Sequence, residues 1–155
     1  ACRRIVTSAE RKAIETAELV AEASKAAVEV RPLMHENDRS ATGFLVPAEF
    51  ERVADEFFAR PEVSVRGWER AIDAQARIVA ELEAVLRDHD PAVPLLLVGH
   101  GGVGTLLYCR LAGLPIDRRH DQPRAGSVFA VEAGGRRPRF GWQPMEEVER
   151  LLGSC

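Results

Sequence analysis

A histidine framed by glycines follows the most continuously apolar stretch of the sequence. Residues 95–98 read LLLV, and the segment GHGGVG, which contains His100, comes directly after them. An unbroken apolar run is typical of a strand in a parallel sheet that is covered on both faces. His100 and several unhindered backbone N–H groups would then lie at the carboxyl edge of the sheet, beside a helix start that attracts anions. We interpret this turn as a ligand site that contains His100.

Two other classes of protein use similar strings. Gly99, Gly101 and Gly104 have the spacing of a dinucleotide-binding loop, but such a loop needs a strand with an acidic residue about 20 positions later. Residues 117–122 are loop-like instead. The string HGG also occurs in the oxyanion loop of α/β-hydrolases, which require a G-x-S-x-G nucleophile turn that the sequence lacks. The sequence therefore favours neither class.

The other candidate side chains are charged residues in a loop and on predicted helices. The loop of residues 35–43 is polar and turn-rich, as functional loops often are, and it carries the carboxylates of Glu36 and Asp38. Lys12 lies in the first turns of a predicted helix, where a lysine is ordinarily a solvated surface residue. Three further charged residues are spaced four apart, which stabilises an exposed helix through ion pairs, so we interpret them as structural: Glu69, Asp73 and Arg77.

Periodicity places these residues on alternating strands and helices. A strand is predicted at residues 2–8 and a helix at residues 9–25, with Thr7 and Glu10 as a capping box and Ser8 as a turn or cap group. The other predicted elements are a strand at 28–34, a short helix at 48–59, a long helix at 68–87, a strand at 95–98, a helix at 103–111, a hairpin of strands 127–132 and 137–142 joined at 133–136, and a short helix from 145. This alternation predicts an α/β fold in three layers, with helices on both sides of a mostly parallel central sheet.

Composition limits the class of protein further. The 155 residues are 46% hydrophobic and 29% charged, which fits one globular domain over residues 1–155. No apolar run reaches the roughly 18 residues of a membrane span, and a signal-peptide core is lacking, so we expect a cytoplasmic protein without a membrane partner. The net charge of −3 gives no general attraction to nucleic acid. Three widely spaced cysteines suit neither a disulfide framework nor a zinc site, and we predict no metal.

Four separated segments, in the correct order, resemble motifs of the histidine phosphatase superfamily, also called phosphoglycerate-mutase-like. The family segment S-P-x-x-R-A-x-x-T-A aligns with residues 8–17, although an alanine and a lysine replace its proline and arginine. The family loop L-x-E with a later glycine aligns with residues 34–43, where methionine stands in for leucine. The G-E-S helix start aligns with residues 67–77, with one insertion and an arginine in place of the serine, and the motif V-G-H-G-G aligns with residues 98–102.

The resemblance implies a fold and a chemistry. Members have a layered α/β/α sandwich and transfer a phosphoryl group to a histidine and then to water or another acceptor, without metal or cofactor. By position, His100 would donate hydrogen bonds to phosphoryl oxygen, with the Gly101 N–H beside it. Glu36 would be the general acid, and Lys12 would stand where the family has a phosphate-binding arginine. The resemblance thus implies a metal-independent phosphomonoesterase, or less readily a mutase, that binds a small phosphorylated substrate or inorganic phosphate.

The resemblance is incomplete at the first motif of the family. That motif, R-H-G on the opening strand, supplies the histidine that is phosphorylated and the main phosphate-binding arginine, and the sequence contains no such segment. We expect a few tens of residues upstream of residue 1 to complete both the sheet and the site. The alternative is a catalytically inactive phosphate-binding or interaction domain on the same scaffold. A homodimer is compatible with the sequence, but no feature requires one.

Overall fold

A parallel sheet with the strand order β2-β1-β3 carries the candidate residues at one edge. The strands are β1 (Arg4–Ser8), β2 (Ala27–Arg31) and β3 (Leu95–Val98). In the central strand, Val6 lies opposite Glu29 on one side and Leu97 on the other. Because the strands are parallel, the end of β1 and the turn that follows β3 meet at the same edge.

Helices and an antiparallel hairpin complete the fold. The structure is a computed structural model, and it describes residues 2–132, 134 and 137–152. The helices are α1 (Arg11–Ser24), α2 (Pro47–Ala59), α3 (Ala71–Arg87), α4 (Gly101–Ala112) and α5 (Val148–Leu152). The hairpin consists of β4 (Ser127–Val131) and β5 (Pro138–Pro144). Of its predicted turn, Ala133, Gly135 and Arg136 lie outside the described residues. The predicted helices and hairpin strands are confirmed to within a few residues at each end.

The helices cover both faces of the sheet and so form three layers. α1 contacts all three parallel strands and buries Ala13 and Ala17, small residues that let the helix approach the sheet closely. On the other face, Val6 joins a large apolar cluster to which α2, α3 and α4 contribute. Side chains of this cluster include Phe57, Trp68, Ile78, Val103 and Leu106. The predicted three-layer α/β/α fold with a mostly parallel sheet is confirmed.

An aromatic cluster packs the hairpin against α4. The rings of Tyr108 and Phe129 meet edge to face with centroids 5.4 Å apart, and Phe129 meets Trp142 at 4.7 Å. Gly104 makes room for this cluster, because a Cβ at that position would lie 3.1 Å from the indole of Trp142. The last glycine of the GHGGVG segment therefore serves packing between the helix and the hairpin.

Local predictions fail at three places. The capping box of Thr7 and Glu10 does not form, because Glu10 is itself the N-cap residue of α1 and Thr7 Oγ1 is buried without a hydrogen-bond partner. The strand predicted at 28–34 ends at Arg31, since Pro32 lacks an N–H group and opens a 3₁₀ turn. β3 is packed on both faces, by α1 and by the apolar cluster, but it is only half-buried, because it pairs with β1 alone among the described strands.

In the described part of the chain, no helix is both long enough and apolar enough to cross a lipid bilayer. Residues 117–122 contain a 3₁₀ turn at Arg118–His120 in place of the strand that a dinucleotide-binding site would require. The structure therefore gives no support to that alternative for the glycine segment.

Candidate functional site

Polar side chains from separate parts of the chain meet at the carboxyl edge of the parallel sheet. Ser8 ends β1, Glu10 precedes α1, Glu36 lies in the loop after β2, and His100 precedes α4. A cleft of about 530 Å³ beside them is lined by Glu10, Lys12 and loop residues 35–39. The sheet edge thus combines an imidazole, carboxylates and an amine in one place, as general acid–base chemistry on a charged substrate requires.

His100 is buried and turns one ring nitrogen toward two oxygens. Its Nε2 lies 2.7 Å from Ser8 Oγ and 3.2 Å from Glu10 Oε1. A carboxylate oxygen only accepts hydrogen bonds, so this geometry is favourable when Nε2 carries a proton. Burial lowers the pKa of His100, and the negative charges of Glu10 and Glu36 oppose that shift without cancelling it. The lowered pKa favours the uncharged ring, which still carries one N–H to donate.

The cluster of Ser8, His100 and Glu10 is not a serine-hydrolase triad. In such a triad, one imidazole nitrogen accepts the serine proton while the other is held by the carboxylate. Here both oxygens face the same nitrogen, Nε2. Ser8 Oγ also accepts a hydrogen bond from the N–H of Glu10 at 3.3 Å, so the hydroxyl has the predicted turn role and orients His100 as well.

Backbone N–H groups at the start of α4 hold the carboxylate of Glu36. Gly102 N–H donates to Oε2 at 3.0 Å, and Val103 N–H donates to Oε1 at 2.9 Å. These N–H groups have no partner within the helix, so the carboxylate caps α4 and interacts favourably with its dipole. A Cβ at residue 102 would lie 2.6 Å from Glu36 Oε1, so a side chain there would displace the carboxylate from this position. At Gly101, a Cβ would instead lie 2.2 Å from the amide nitrogen of Gln122.

Arg77 fastens the loop that carries Glu36. Its guanidinium donates to the backbone oxygen of Leu33 at 2.7 Å and to that of His35 at 2.9 Å. His35 is half-buried, and its Nδ1 lies 2.6 Å from the backbone oxygen of Glu36. The loop therefore has a defined conformation although it lacks regular secondary structure.

Glu69 completes this fastening from the segment before α3. Its carboxylate forms a bidentate pair with Arg77 at 3.0 and 2.8 Å and accepts the N–H of Asp38 at 3.1 Å. Burial would raise the pKa of Glu69, but Arg77 and the Asp38 N–H lower it on balance. The prediction of a ladder of charges along one helix is wrong, because Glu69 precedes α3 and Asp73 pairs with Arg70. Glu69 and Arg77 are structural in a different way, since they hold the loop of the candidate acid.

Lys12 lines the same cleft but is loosely held. Its side chain is 71% exposed, and its Nζ lies 3.5 Å from Glu10 Oε2. Burial would raise the pKa of Glu10, but the N–H of Glu36, which donates at 2.9 Å, and the nearby His100 and Lys12 lower it on balance. The structure therefore places Lys12 and Glu36 along one cleft, and Glu10 links this cleft to the buried His100.

Sequence reasoning missed Arg39 and Glu10 as members of this site. Arg39 Nη2 lies 3.4 Å from Glu36 Oε2, and Arg39 Nε donates to Asn37 Oδ1 at 3.0 Å. The guanidinium carbon lies 4.9 Å from the ring centroid of Phe50 and 5.1 Å from that of Trp68. The position of Arg39, three residues after the candidate acid, was the available signal, whereas its aromatic partners come from distant segments. For Glu10 we find no signal beyond its place at the end of a strand.

Comparisons with known proteins agree with this architecture. A mycobacterial glucosyl-3-phosphoglycerate phosphatase is 22% identical with a TM-score of 0.72, covering 92% of this chain and 78% of that chain. The same protein in complex with inorganic phosphate is 22% identical with a TM-score of 0.69, over 92% and 75%. YhfR from Bacillus stearothermophilus is 21% identical with a TM-score of 0.71, over 92% and 73%. At such identities the likeness shows the fold alone.

Sequence comparison gives the family itself. No curated protein matches the chain significantly. Residues 1–142, in contrast, match the model of the histidine phosphatase superfamily, branch 1. This match covers the strands of the parallel sheet, the candidate cleft and most of the hairpin. The chain belongs to the histidine phosphatase superfamily.

Proposed function

We propose that the protein is a metal-independent phosphomonoesterase, or a mutase, that acts on a small phosphorylated metabolite through a phosphohistidine intermediate. The observation that carries this proposal is the cleft in which Glu10 joins the buried His100 to the loop of Glu36. Family membership supports it, and so do the phosphatases among the structural neighbours, one of which is solved with inorganic phosphate. No step of this chemistry requires a cofactor.

His100 would stabilise the charge of the phosphoryl group. Phosphoryl transfer depends mainly on donors and cations that are positioned around the phosphoryl oxygens. Glu10 Oε1, at 3.2 Å from Nε2, marks a position where an anionic oxygen accepts from His100, and a phosphoryl oxygen would take that position. The Gly101 N–H would be a further donor, and the exposed side chain of Lys12 would add a mobile positive charge.

Glu36 would protonate the leaving oxygen of the ester and later accept a proton from the attacking water. Its oxygens each accept one N–H at the start of α4, and a carboxylate oxygen has a further lone pair available to a substrate. The loop fastened by Arg77 supports this role, because a proton donor must keep a fixed distance from the reacting oxygen.

The phosphorylated histidine would come from a segment that precedes residue 1. β3 pairs with β1 along one edge, and among the described strands none pairs with its other edge. A further strand at that edge would satisfy backbone groups that a strand edge leaves unpaired. In a parallel orientation, its carboxyl end would lie beside His100, where a nucleophile is needed.

The second candidate is a catalytically inactive phosphate-binding or interaction domain. The observation that favours it is the charge of the cleft, where the carboxylates of Glu10 and Glu36 accept from donors that a phosphate would use. The ammonium group of Lys12 could still bind an anion there, but a lysine cannot reproduce the bidentate contact of the arginine that the family usually has.

The test is phosphate release from a panel of monoesters in excess EDTA by the protein expressed from its natural reading frame. We expect release to survive EDTA and to fall about 10²- to 10⁴-fold in His100→Ala and in Glu36→Gln. Glu18→Gln, an exposed carboxylate on α1, is the matched control and should keep full activity. Acid-labile labelling of the protein by substrate would identify the phosphohistidine. Phosphate binding without any release would favour the inactive domain, and activity indifferent to His100 would exclude its proposed role.

A further inference from the structure

A hollow of about 390 Å³ opens next to the cleft, and its wall is mainly apolar. We call it the apolar pocket, and its principal wall residues are Arg39, Phe44, Leu45, Pro47, Phe50 and Trp68. These residues come from the loop of residues 39–45, from the first turns of α2 and from the segment before α3. The pocket therefore lies within the part of the chain that also positions Glu36.

Arg39 is the wall that the apolar pocket shares with the cleft. Its Nη2 is 3.4 Å from Glu36 Oε2 on the cleft side. On the pocket side, the planar guanidinium lies against the rings of Phe50 and Trp68 at 4.9 and 5.1 Å from their centroids. A single side chain, that of Arg39, therefore lies both beside Glu36 and along the pocket, so a substrate held at Glu36 would have the pocket as its neighbour.

Phe44 makes the mouth of the pocket apolar. Its side chain is 89% exposed, and the neighbouring Val46 is 57% exposed. The loop around it is ordered by Gly43, whose φ of +61° suits glycine, and by the indole N–H of Trp68, which donates to Thr42 Oγ1 at 2.8 Å. A large apolar ring that a defined loop holds in water is a feature of binding sites, because covering it on binding is favourable.

The pocket offers little to a sugar or a glycerate. Its charged wall residues are Arg39 and Glu51, and they already pair with Glu36 and with Arg118 respectively. Hydroxyl groups placed against Phe44, Phe50 and Trp68 would lose water without gaining partners, which is unfavourable. An alkyl or aryl group has no hydrogen bonds to water to lose, so its transfer from water to the pocket would be favourable.

We propose that the apolar pocket binds the organic part of the substrate, and that the substrate class is phosphomonoesters of apolar alkyl or aryl alcohols. This inference rests on the proposed function, because it places the phosphate in the cleft of Glu36 and His100. It differs from what the name of the mycobacterial neighbour states for that protein, which is a glucosyl-3-phosphoglycerate.

The direct test measures binding of methyl-, butyl- and hexylphosphonate to the protein from its natural reading frame by calorimetry, without need for turnover. We expect the Kd to fall about two- to fourfold for each added methylene, as partial to full burial of a methylene predicts. Phe44→Ala should reduce this dependence on chain length, whereas Leu19→Ala, a matched exposed side chain on α1, should leave it unchanged. In turnover, kcat/KM should rise from ethyl to butyl to hexyl phosphate and exceed that for glycerol phosphate.

The possible failures are distinct. Equal affinity for the three phosphonates, together with hydrolysis of ethyl phosphate, would overturn the apolar pocket and leave the proposed function standing. No binding of any phosphonate and no hydrolysis of any ester would overturn both. A dimer in solution that Phe44→Ala dissociates, with no gain in affinity from methyl- to hexylphosphonate, would assign the exposed ring to a second copy of the chain and overturn the pocket as a substrate site.

Discussion

Glu36 and Lys12 line the same cleft, but the fold holds them in opposite ways. The Glu36 side chain is 16% exposed, accepts two backbone N–H groups of α4, and lies in a loop fastened by Arg77. The Lys12 side chain is 71% exposed, and its ion pair with Glu10 is long, with 3.5 Å between Nζ and Oε2. A group that transfers a proton must keep its distance to the reacting oxygen, whereas a cation that neutralises diffuse charge tolerates movement.

This difference shows where the fold provides rigidity in the cleft. Glu36 lies in the loop after β2 and contacts the start of α4. Arg77 connects the same loop to α3. Lys12 depends on one neighbour two residues away in the chain. Substitutions that loosen Glu36 should therefore cost more activity than the removal of the Lys12 charge.

The largest effect on activity is expected for Glu36→Asp. The shorter side chain keeps the charge but cannot reach both N–H groups of Gly102 and Val103, so kcat should fall about 10²-fold through lost positioning. Loss of the helix cap should also lower the free energy of unfolding by about 1 kcal/mol. Steady-state kinetics and urea unfolding measure the two effects. Unchanged kcat would mean that the tight holding of Glu36 serves stability alone.

Arg77→Met should have the next largest effect. It removes the donors to Leu33 and His35 and leaves the partly buried carboxylate of Glu69 without its cation, so the free energy of unfolding should fall by about 2 kcal/mol. We expect kcat to fall about tenfold, because the loop of Glu36 loosens. Arg70→Met breaks an exposed pair with Asp73 and is the matched control, which should leave the free energy of unfolding nearly unchanged. Equal effects of the two variants would contradict the role given to Arg77.

Glu10→Gln should shift a titration rather than abolish activity. Burial lowers the pKa of His100, and the carboxylate of Glu10 at 3.2 Å opposes this shift, together with Glu36, while Lys12 and His35 add to it. Removal of the Glu10 charge should therefore lower the pKa of His100 further, which NMR titration of the imidazole protons measures. Glu18→Gln is the control on the same helix. A pKa that rises in Glu10→Gln would contradict the contact.

Acid should weaken the fold through the carboxylates that hold the loop. Glu69 has a lowered pKa in the folded protein, so its contribution is present above its usual value of 4.5 and is lost as the pH falls through the folded pKa. Glu69→Gln should therefore be less stable than the unmodified chain at pH 7 and should lose less stability on going to acid. Urea unfolding at a series of pH values tests this. Parallel pH profiles for the two proteins would exclude Glu69 as a contributor.

Lys12 substitutions should have the smallest effect and thereby complete the contrast. Lys12→Met should weaken phosphate binding less than tenfold, because an exposed and mobile charge contributes little. Lys12→Arg should bind phosphate at least as well as the unmodified protein, since guanidinium can contact two oxygens at once. Calorimetry with inorganic phosphate measures both. A loss as large as that of Glu36→Asp would show that Lys12 is held tightly once phosphate is bound.

The sequence by itself determined the succession of strands and helices and the place of His100 at the end of a strand. These features depend on neighbouring residues, since apolar periodicity decides whether a segment buries one face of a helix or both faces of a strand. Family motifs added Glu36, Lys12 and Gly101 as candidates. Thr7, by contrast, satisfied a local capping pattern that the fold did not use, because Glu10 took the N-cap position.

Only the tertiary structure decided which groups meet. The carboxylate of Glu36 caps a helix through Gly102, which lies 66 positions later in the chain. Arg77 reaches back to the loop instead of pairing along its own helix, and Arg39 lies against aromatic rings from two other segments. Such contacts depend on how the layers pack and which backbone groups remain unpaired at helix ends, and no local pattern contains that information.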